Sequence, residues 1–190
     1  MFSYFLLTAA VLFYQKFGKK ADIVLNYIGI IILLIILYAL SKLYYTPAYD
    51  FSDAAVMHFS SYFAPVYKVY SGQTIGIDFT NLYGFYPYFY ELIFKLFHKS
   101  SIQFFSVINT VLVCLSVIFV AMTLYLNIKN KLIALVFFLA YVYLYNLINV
   151  FSTQSVFYLQ FMPHRIFFIT LIFALASIYL KTDNGSKKIF

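Results

Sequence analysis

Tryptophan is missing from this chain, cysteine occurs once, and only 10% of the 190 residues are charged. A single cysteine, Cys114, excludes an intramolecular disulfide and any cysteine-based metal spacing. No glycine-rich phosphate cradle, no GxSxG elbow and no HExxH helix is present, so nucleotide-driven and common hydrolase chemistries have no support. Acids are few, six against thirteen lysines and arginines, for a net charge of +7. That excess does not indicate a nucleic-acid partner. The lysines lie in short clusters at the ends of apolar runs, where positive charge sets membrane topology.

What is abundant is apolar. Hydrophobic residues make up 64% of the chain, and the mean hydropathy is +0.89. A soluble domain has about 45–50% apolar and about 25% charged residues. A core of this length cannot hide so much apolar surface, so lipid must solvate much of it. The aromatic share of 23% consists of 24 Phe and 20 Tyr, and Tyr suits the interfacial belt, with an apolar ring and a hydroxyl that wants water.

The expected architecture is an all-α, polytopic transmembrane bundle, a single domain over residues 1–190 with about five spans. Residues 2–15 form a short or tilted first span, stopped at Gly18 among Lys16, Lys19 and Lys20. Residues 23–45 are the clearest span, ended by Tyr44, Tyr45 and Pro47. Spans over 101–127, 132–151 and 166–180 follow. Placing Lys16/Lys19/Lys20, Lys129/Lys131 and Lys181/Lys187/Lys188 on the cytoplasmic side gives one consistent topology. Loop 46–100 then lies on the outer face, with Asp50, Asp53, Asp78, Glu91 and all three histidines outside. The expected location is the inner membrane of a bacterium.

The stretch from Tyr49 to Tyr90 concentrates what the rest lacks: three acids, two prolines and three glycines between apolar runs. Phe51, Ala55, Phe59, Tyr62, Val66 and Val69 share one helical face, which predicts a helix lying on the membrane surface and broken or kinked at Pro65. Ser71-Gly72, Gly76 and Tyr83-Gly84 predict turns. Pro87 opens a second short surface helix reaching His98, with Glu91 and Lys95 spaced to pair.

Carboxylates here can act as a general base or hold a divalent cation through oxygen ligands. Asp50, Asp53 and Asp78 are the catalytic candidates, and Asp50 with Asp78 the candidate metal ligands, a divalent metal ion being the one cofactor they suggest. The plainer reading is that such acids are solvated or cap helices. His58 projects near the apolar stripe and suits a structural hydrogen bond better than a metal. His164 and Arg165 open the last span on the outer side, where an arginine fork can bind phosphate oxygens or simply anchor the interface. Asn146, Asn149, Gln154 and Gln160 surround that loop and can line a cavity or hydrogen-bond between helices.

A span, an Asp-x-x-Asp opening a surface helix, a glycine turn, an acid and a second Pro-led aromatic helix recur in a known order. Through DFSDAAVMHFSSYF, YSGQTIGIDF and YGFYPYFYELIFKLF, the chain resembles the first external loop of the GT-C membrane glycosyltransferases. That superfamily includes the protein O-mannosyltransferases and the aminoarabinose transferases of lipid A. The resemblance covers about residues 23–181. It implies a sugar donor carried on a polyprenyl phosphate, an acid near the end of a span (Asp50 or Asp53) and a second before the second short helix (Asp78). Two features depart from the pattern. The loop STQSVFYLQFMPHR has no acid, leaving Gln154, His164 and Arg165 in its place, and YGFYP lacks the Lys-Pro-Pro of the aminoarabinose branch. The family also has roughly twice as many spans, so the chain is expected to be the N-terminal part of such an enzyme.

The expectation is therefore a lipid-embedded transferase acting on a cell-envelope acceptor. The alternative is a non-catalytic membrane protein of envelope polysaccharide assembly or a transporter subunit, in which the acids bind or couple ions.

Overall fold

The computed structural model describes residues 2–45, 53–81, 84–144 and 163–186. They form six helices: α1 Phe2–Tyr44, α2 Asp53–Tyr70, α3 Tyr86–Phe97, α4 Ile102–Asn127, α5 Lys131–Tyr141 and α6 Pro163–Ser186. Among the described residues there is no strand, only an isolated bridge between Ile75 and Phe79. Three helical segments are long and apolar enough to cross a membrane: Asp22–Leu43, Ile102–Asn127 and Pro163–Thr182. Lys131–Leu144 is apolar but shorter.

The first expected break is absent. Helix α1 runs through Gly18 without interruption for 43 residues. One glycine costs a helix only about 1 kcal/mol relative to alanine, and the lysines and alanine beside it are good helix formers. At about 1.5 Å per residue α1 is about 64 Å long, roughly twice the thickness of a hydrocarbon core. Residues 2–15 therefore extend the same rod and do not fold back as a separate span across a lysine turn.

Helix α2 likewise passes through Pro65 and ends at Tyr70. An interior proline removes one backbone hydrogen bond and costs about 3 kcal/mol or more. Here the residues just beyond it, Val66 and Val69, are buried and offset that loss. The described members of the α2 stripe, Tyr62, Val66 and Val69, are buried in the protein. Tyr62 and Val66 belong to a cluster with Tyr86, Tyr90 and Phe94 of α3 and Phe105, Ile108 and Leu112 of α4. The face expected to meet lipid thus meets α3 and α4 over this half.

Helix α3 begins with Pro87 in its first turn, where the missing N–H is no loss. His98 closes it in a left-handed conformation (φ 52°), its N–H returning to Lys95 and Phe94 carbonyls. The expected Glu91–Lys95 pair forms at 2.6 Å. Ser101 caps α4 by accepting from the Phe104 amide, and Asn130 caps α5 by accepting from Leu132 and Ile133.

Helix α4 is the hub. Its N-terminal half packs on α2 and α3, and its C-terminal half joins Leu40 of α1 with Phe138 and Val142 of α5 through Val113 and Val117. Leu40 lies by Val113, whereas Leu25 and Asn26 share a groove with Leu124 and Tyr125, so α1 and α4 are antiparallel. Helix α5 also opposes α4, with Lys131 beside Tyr125 and Phe138 beside Val117. Helix α6 runs parallel to α4: Phe119 meets Phe167 at 5.9 Å, and further along Asn127 donates to the Ser177 hydroxyl at 2.7 Å. Buried Thr170, Ala174 and Ser177 share one face of α6, small side chains that let two helix backbones approach.

These directions put α2, α3, the end of α1 and the starts of α4 and α6 at one end of the bundle. Lys20, Lys129, Lys131 and Lys181 lie at the other. With Cys114→Ser as background, cysteines at Gln73 and Lys129 should react with a membrane-impermeant maleimide from opposite sides of sealed vesicles. Labelling of both from one side would contradict this arrangement. Phe94 is fully buried and Leu92 on the same helix is exposed. Phe94→Ala should cost about 3–5 kcal/mol and Leu92→Ala no more than about 0.5 kcal/mol, read as unfolding midpoints in detergent.

Candidate functional site

The end of the bundle that holds α2 and α3 carries two polar features, one exposed and one buried. The exposed feature is the turn between α2 and α3. The Asp78 carboxylate accepts from the Thr74 amide at 2.7 Å, and the Asp78 N–H returns to the Thr74 carbonyl at 2.9 Å. Gly76 adopts a positive φ of +87° inside this turn, a conformation L side chains rarely take. Its N–H donates to the Phe79 carbonyl. The turn is tied to α3 by the Ile75 amide donating to the Tyr88 hydroxyl at 3.2 Å, and to α2 by the Lys68 ammonium 5.0 Å above the Phe79 ring. Asp78 therefore has a structural duty in its own turn, yet it stays exposed to incoming groups.

The buried feature joins α3, α4 and the start of α6. The Tyr86 hydroxyl donates to the Tyr62 carbonyl at 2.7 Å, anchoring α3 on α2. The Tyr90 hydroxyl donates to Oδ1 of Asn109, a fully buried amide on α4. Burial pushes the Tyr90 phenol well above its usual range, with Tyr86 adding to the effect, so it remains a protonated donor. The His164 ring stacks on Tyr86 at 5.4 Å and meets the edge of Tyr90 at 5.9 Å. Two buried atoms here have no hydrogen-bond partner: Nδ2 of Asn109 and Nδ1 of His164. Leaving such a group unmade costs about 1–3 kcal/mol.

The expected residues are therefore distributed as follows. Asp50 lies outside the described residues. Asp53 is the first residue of α2, but its side chain and that of His58 lie outside the description. The loop residues Asn146, Asn149, Gln154 and Gln160 also lie outside it. Asp78 is on the turn. His164 faces inward among tyrosine rings, while its neighbour Arg165 is exposed, so the two do not present one joint face. Asp78 and His164 reach α3 through Tyr88 and Tyr86, two residues apart, and hence on faces separated by about 200°. Among the described residues no three His, Cys, Asp or Glu side chains gather as a cation site.

Tyr86, Tyr90 and Asn109 were not singled out by the sequence reading. Asn109 carried a usable signal: it is the one carboxamide well inside the run IQFFSVINTVLVC. A polar side chain in a span has to find a partner. The tyrosines gave none, because aromatic residues are so common here that a belt explains each of them.

The Tyr90–Asn109 bond gives a direct test. Tyr90→Phe should destabilise the protein by about 1–3 kcal/mol, because it leaves a buried amide without its donor. Combining it with Asn109→Leu should recover most of that loss, since both polar partners are then gone. Thermal unfolding of the four-member cycle in detergent reads the coupling.

No protein-family model, curated protein or solved structure matches this chain.

Proposed function

We propose that the chain is a membrane glycosyltransferase of the GT-C kind, taking a sugar from a polyprenyl-phosphate donor at the end of the bundle that carries α2 and α3. The observation that carries this reading is that an exposed carboxylate, Asp78, and an exposed guanidinium, Arg165, both lie at that end of the bundle. Glycosyl transfer from a lipid phosphate needs a base for the acceptor and a cation for the departing phosphate. Asp50 and Asp53 are the further acids for this chemistry, and His164 and Arg165 are the candidates for holding the donor phosphate, Arg165 from the face it exposes. A divalent metal ion, if used, would be held by Asp50 and Asp78.

Helix α3 supports a station at the lipid surface. Its inner face, Tyr86, Tyr90 and Phe94, is buried in protein, while Phe85, Leu92, Leu96 and Phe97 are exposed apolar side chains. A helix apolar on two faces, with Glu91 and Lys95 paired between them, suits contact with protein on one side and acyl chains on the other. In the proposed topology this end faces outward from the inner membrane of a bacterium, and the end with Lys20, Lys129, Lys131 and Lys181 faces the cytoplasm.

A second reading, a non-catalytic component of envelope polysaccharide assembly, is favoured by one observation. The Asp78 carboxylate already serves the Thr74 amide, so a purely structural role accounts for it.

Asp78→Asn separates the two readings, because asparagine keeps an oxygen acceptor for Thr74 and loses only the charge. Membranes containing the protein are supplied with radiolabelled polyprenyl-phosphate hexose, and protein-dependent consumption of donor is measured. The transferase reading expects Asp78→Asn and Arg165→Gln each to lower that consumption by at least about 100-fold, a general-base contribution in magnitude, with insertion unchanged. Undiminished consumption in Asp50→Asn, Asp53→Asn and Asp78→Asn alike would reject it.

A further inference from the structure

The end of the bundle opposite α2 and α3 holds a groove that the proposed transfer chemistry does not use. It is a partly open cavity of about 350 Å³ between α1, α4 and α5, within the range of about 300–1,000 Å³ typical of small-molecule sites. Its lining is graded. At one end lie Asn26, Tyr125 and Lys131, and towards the middle of the bundle only apolar groups such as Ile30, Leu33 and Phe138 remain. Along α1 it extends from Leu25 to Leu33, about 12 Å at about 1.5 Å per residue.

Lys131 is held at the polar end. Its ammonium donates to the Tyr125 carbonyl at 2.9 Å and the Ile128 carbonyl at 3.3 Å, and sits 3.9 Å from the centre of the Tyr125 ring. An ammonium has three protons. Two are committed to carbonyls and the ring lies against the same ammonium, so its positive charge is held in place at this end. Gly29 forms part of the wall, and a Cβ built there meets nothing within 4 Å. The groove thus owes some of its space to the lack of a side chain at that position.

We propose that this groove binds one glycerophospholipid with an anionic headgroup, its phosphate at Lys131 and an acyl chain running along Gly29 and Leu33. Two of its walls, α1 and α4, are segments fit to cross a membrane, so lipid is the medium that reaches the groove. The polarity gradient matches that of a lipid, polar at the bundle end and apolar towards the middle. Charge complementarity selects the headgroup: among the described lining residues the charged one is a cation, Lys131, and Lys20, Lys129 and Lys181 outnumber the acid Asp22 at the same end. This site stands apart from the proposed donor end and does not depend on the transferase reading.

Native mass spectrometry of the detergent-purified protein, titrated with phosphatidylglycerol or phosphatidylcholine of identical acyl chains, tests the assignment. The intact protein should retain phosphatidylglycerol in preference. Lys131→Gln should reduce that preference by about fivefold, the effect of one basic residue near a lipid surface. Gly29→Leu, which improves helix propensity and meets no neighbour at Cβ, should lower retention of both lipids at least about fivefold, while Leu34→Phe on an exposed position of α1 should change neither. Equal retention of the two lipids by the intact protein and by Lys131→Gln would overturn the headgroup assignment. Unchanged retention in Gly29→Leu would overturn the groove as the site. So would a change of oligomeric state in that variant without loss of lipid, which would make the occupant a second copy of the chain.

Discussion

A carboxamide buried two turns inside α4 sets a condition that the neighbouring helices have to meet. Asn109 is fully enclosed, and an apolar interior offers it no water. Among the described residues Tyr90 answers its oxygen. That hydrogen bond fixes the rotation of α3 about its own axis, because Tyr86, Tyr90 and Phe94 then face inward together. Tyr86 in turn reaches the backbone of α2, and its ring supports His164 at the start of α6. One polar contact thus sets the relation of four helices at the end of the bundle. The opposite end is organised differently, by apolar packing of α1 and α5 on α4 and by a lysine that closes the α4 C-terminus onto itself.

The helices themselves could be read from the sequence to within a few residues where strong local signals coincide. Pro87, the Glu91–Lys95 spacing and the expected end at His98 marked α3 at both ends. A continuous apolar run bounded by Ser101 and the Lys129–Lys131 turn marked α4. The two expected chain breaks are absent for one cause. Gly18 and Pro65 are breakers only on average, and tertiary or propensity support beside them kept both helices whole. Sequence periodicity placed Tyr62, Val66 and Val69 on a common face but could not say whether lipid or protein would cover it. Both are apolar, and composition does not distinguish them.

The candidate site was legible in kind but less so in arrangement. An exposed acid after a glycine turn was expected and Asp78 is one, yet its bond to Thr74 is a property of backbone geometry that no spacing reveals. His164 and Arg165 are adjacent in sequence, and adjacency suggested one shared task. Consecutive helical residues are about 100° apart, which is enough to turn one into the core and leave the other exposed. The aromatic enclosure of His164 depends on contacts between residues more than seventy positions apart, beyond the reach of any local pattern.

The parallel pairing of α4 with α6 has a consequence for the order of assembly. Parallel neighbours cannot be joined by a tight hairpin, so α4 enters the membrane well before α6 exists. During that interval two of its hydroxyls already have partners: Thr110 and Ser116 donate to the carbonyls of Ser106 and Leu112 on their own helix. Thr170 and Ser177 do the same on α6. Tyr90, the partner of Asn109, precedes it in synthesis. Each helix can therefore cross the bilayer with these groups satisfied and associate afterwards. Asn127 already donates to the Thr123 carbonyl of its own helix, and its bond to Ser177 forms when α4 and α6 meet, which makes that bond a late marker of docking rather than a requirement for insertion.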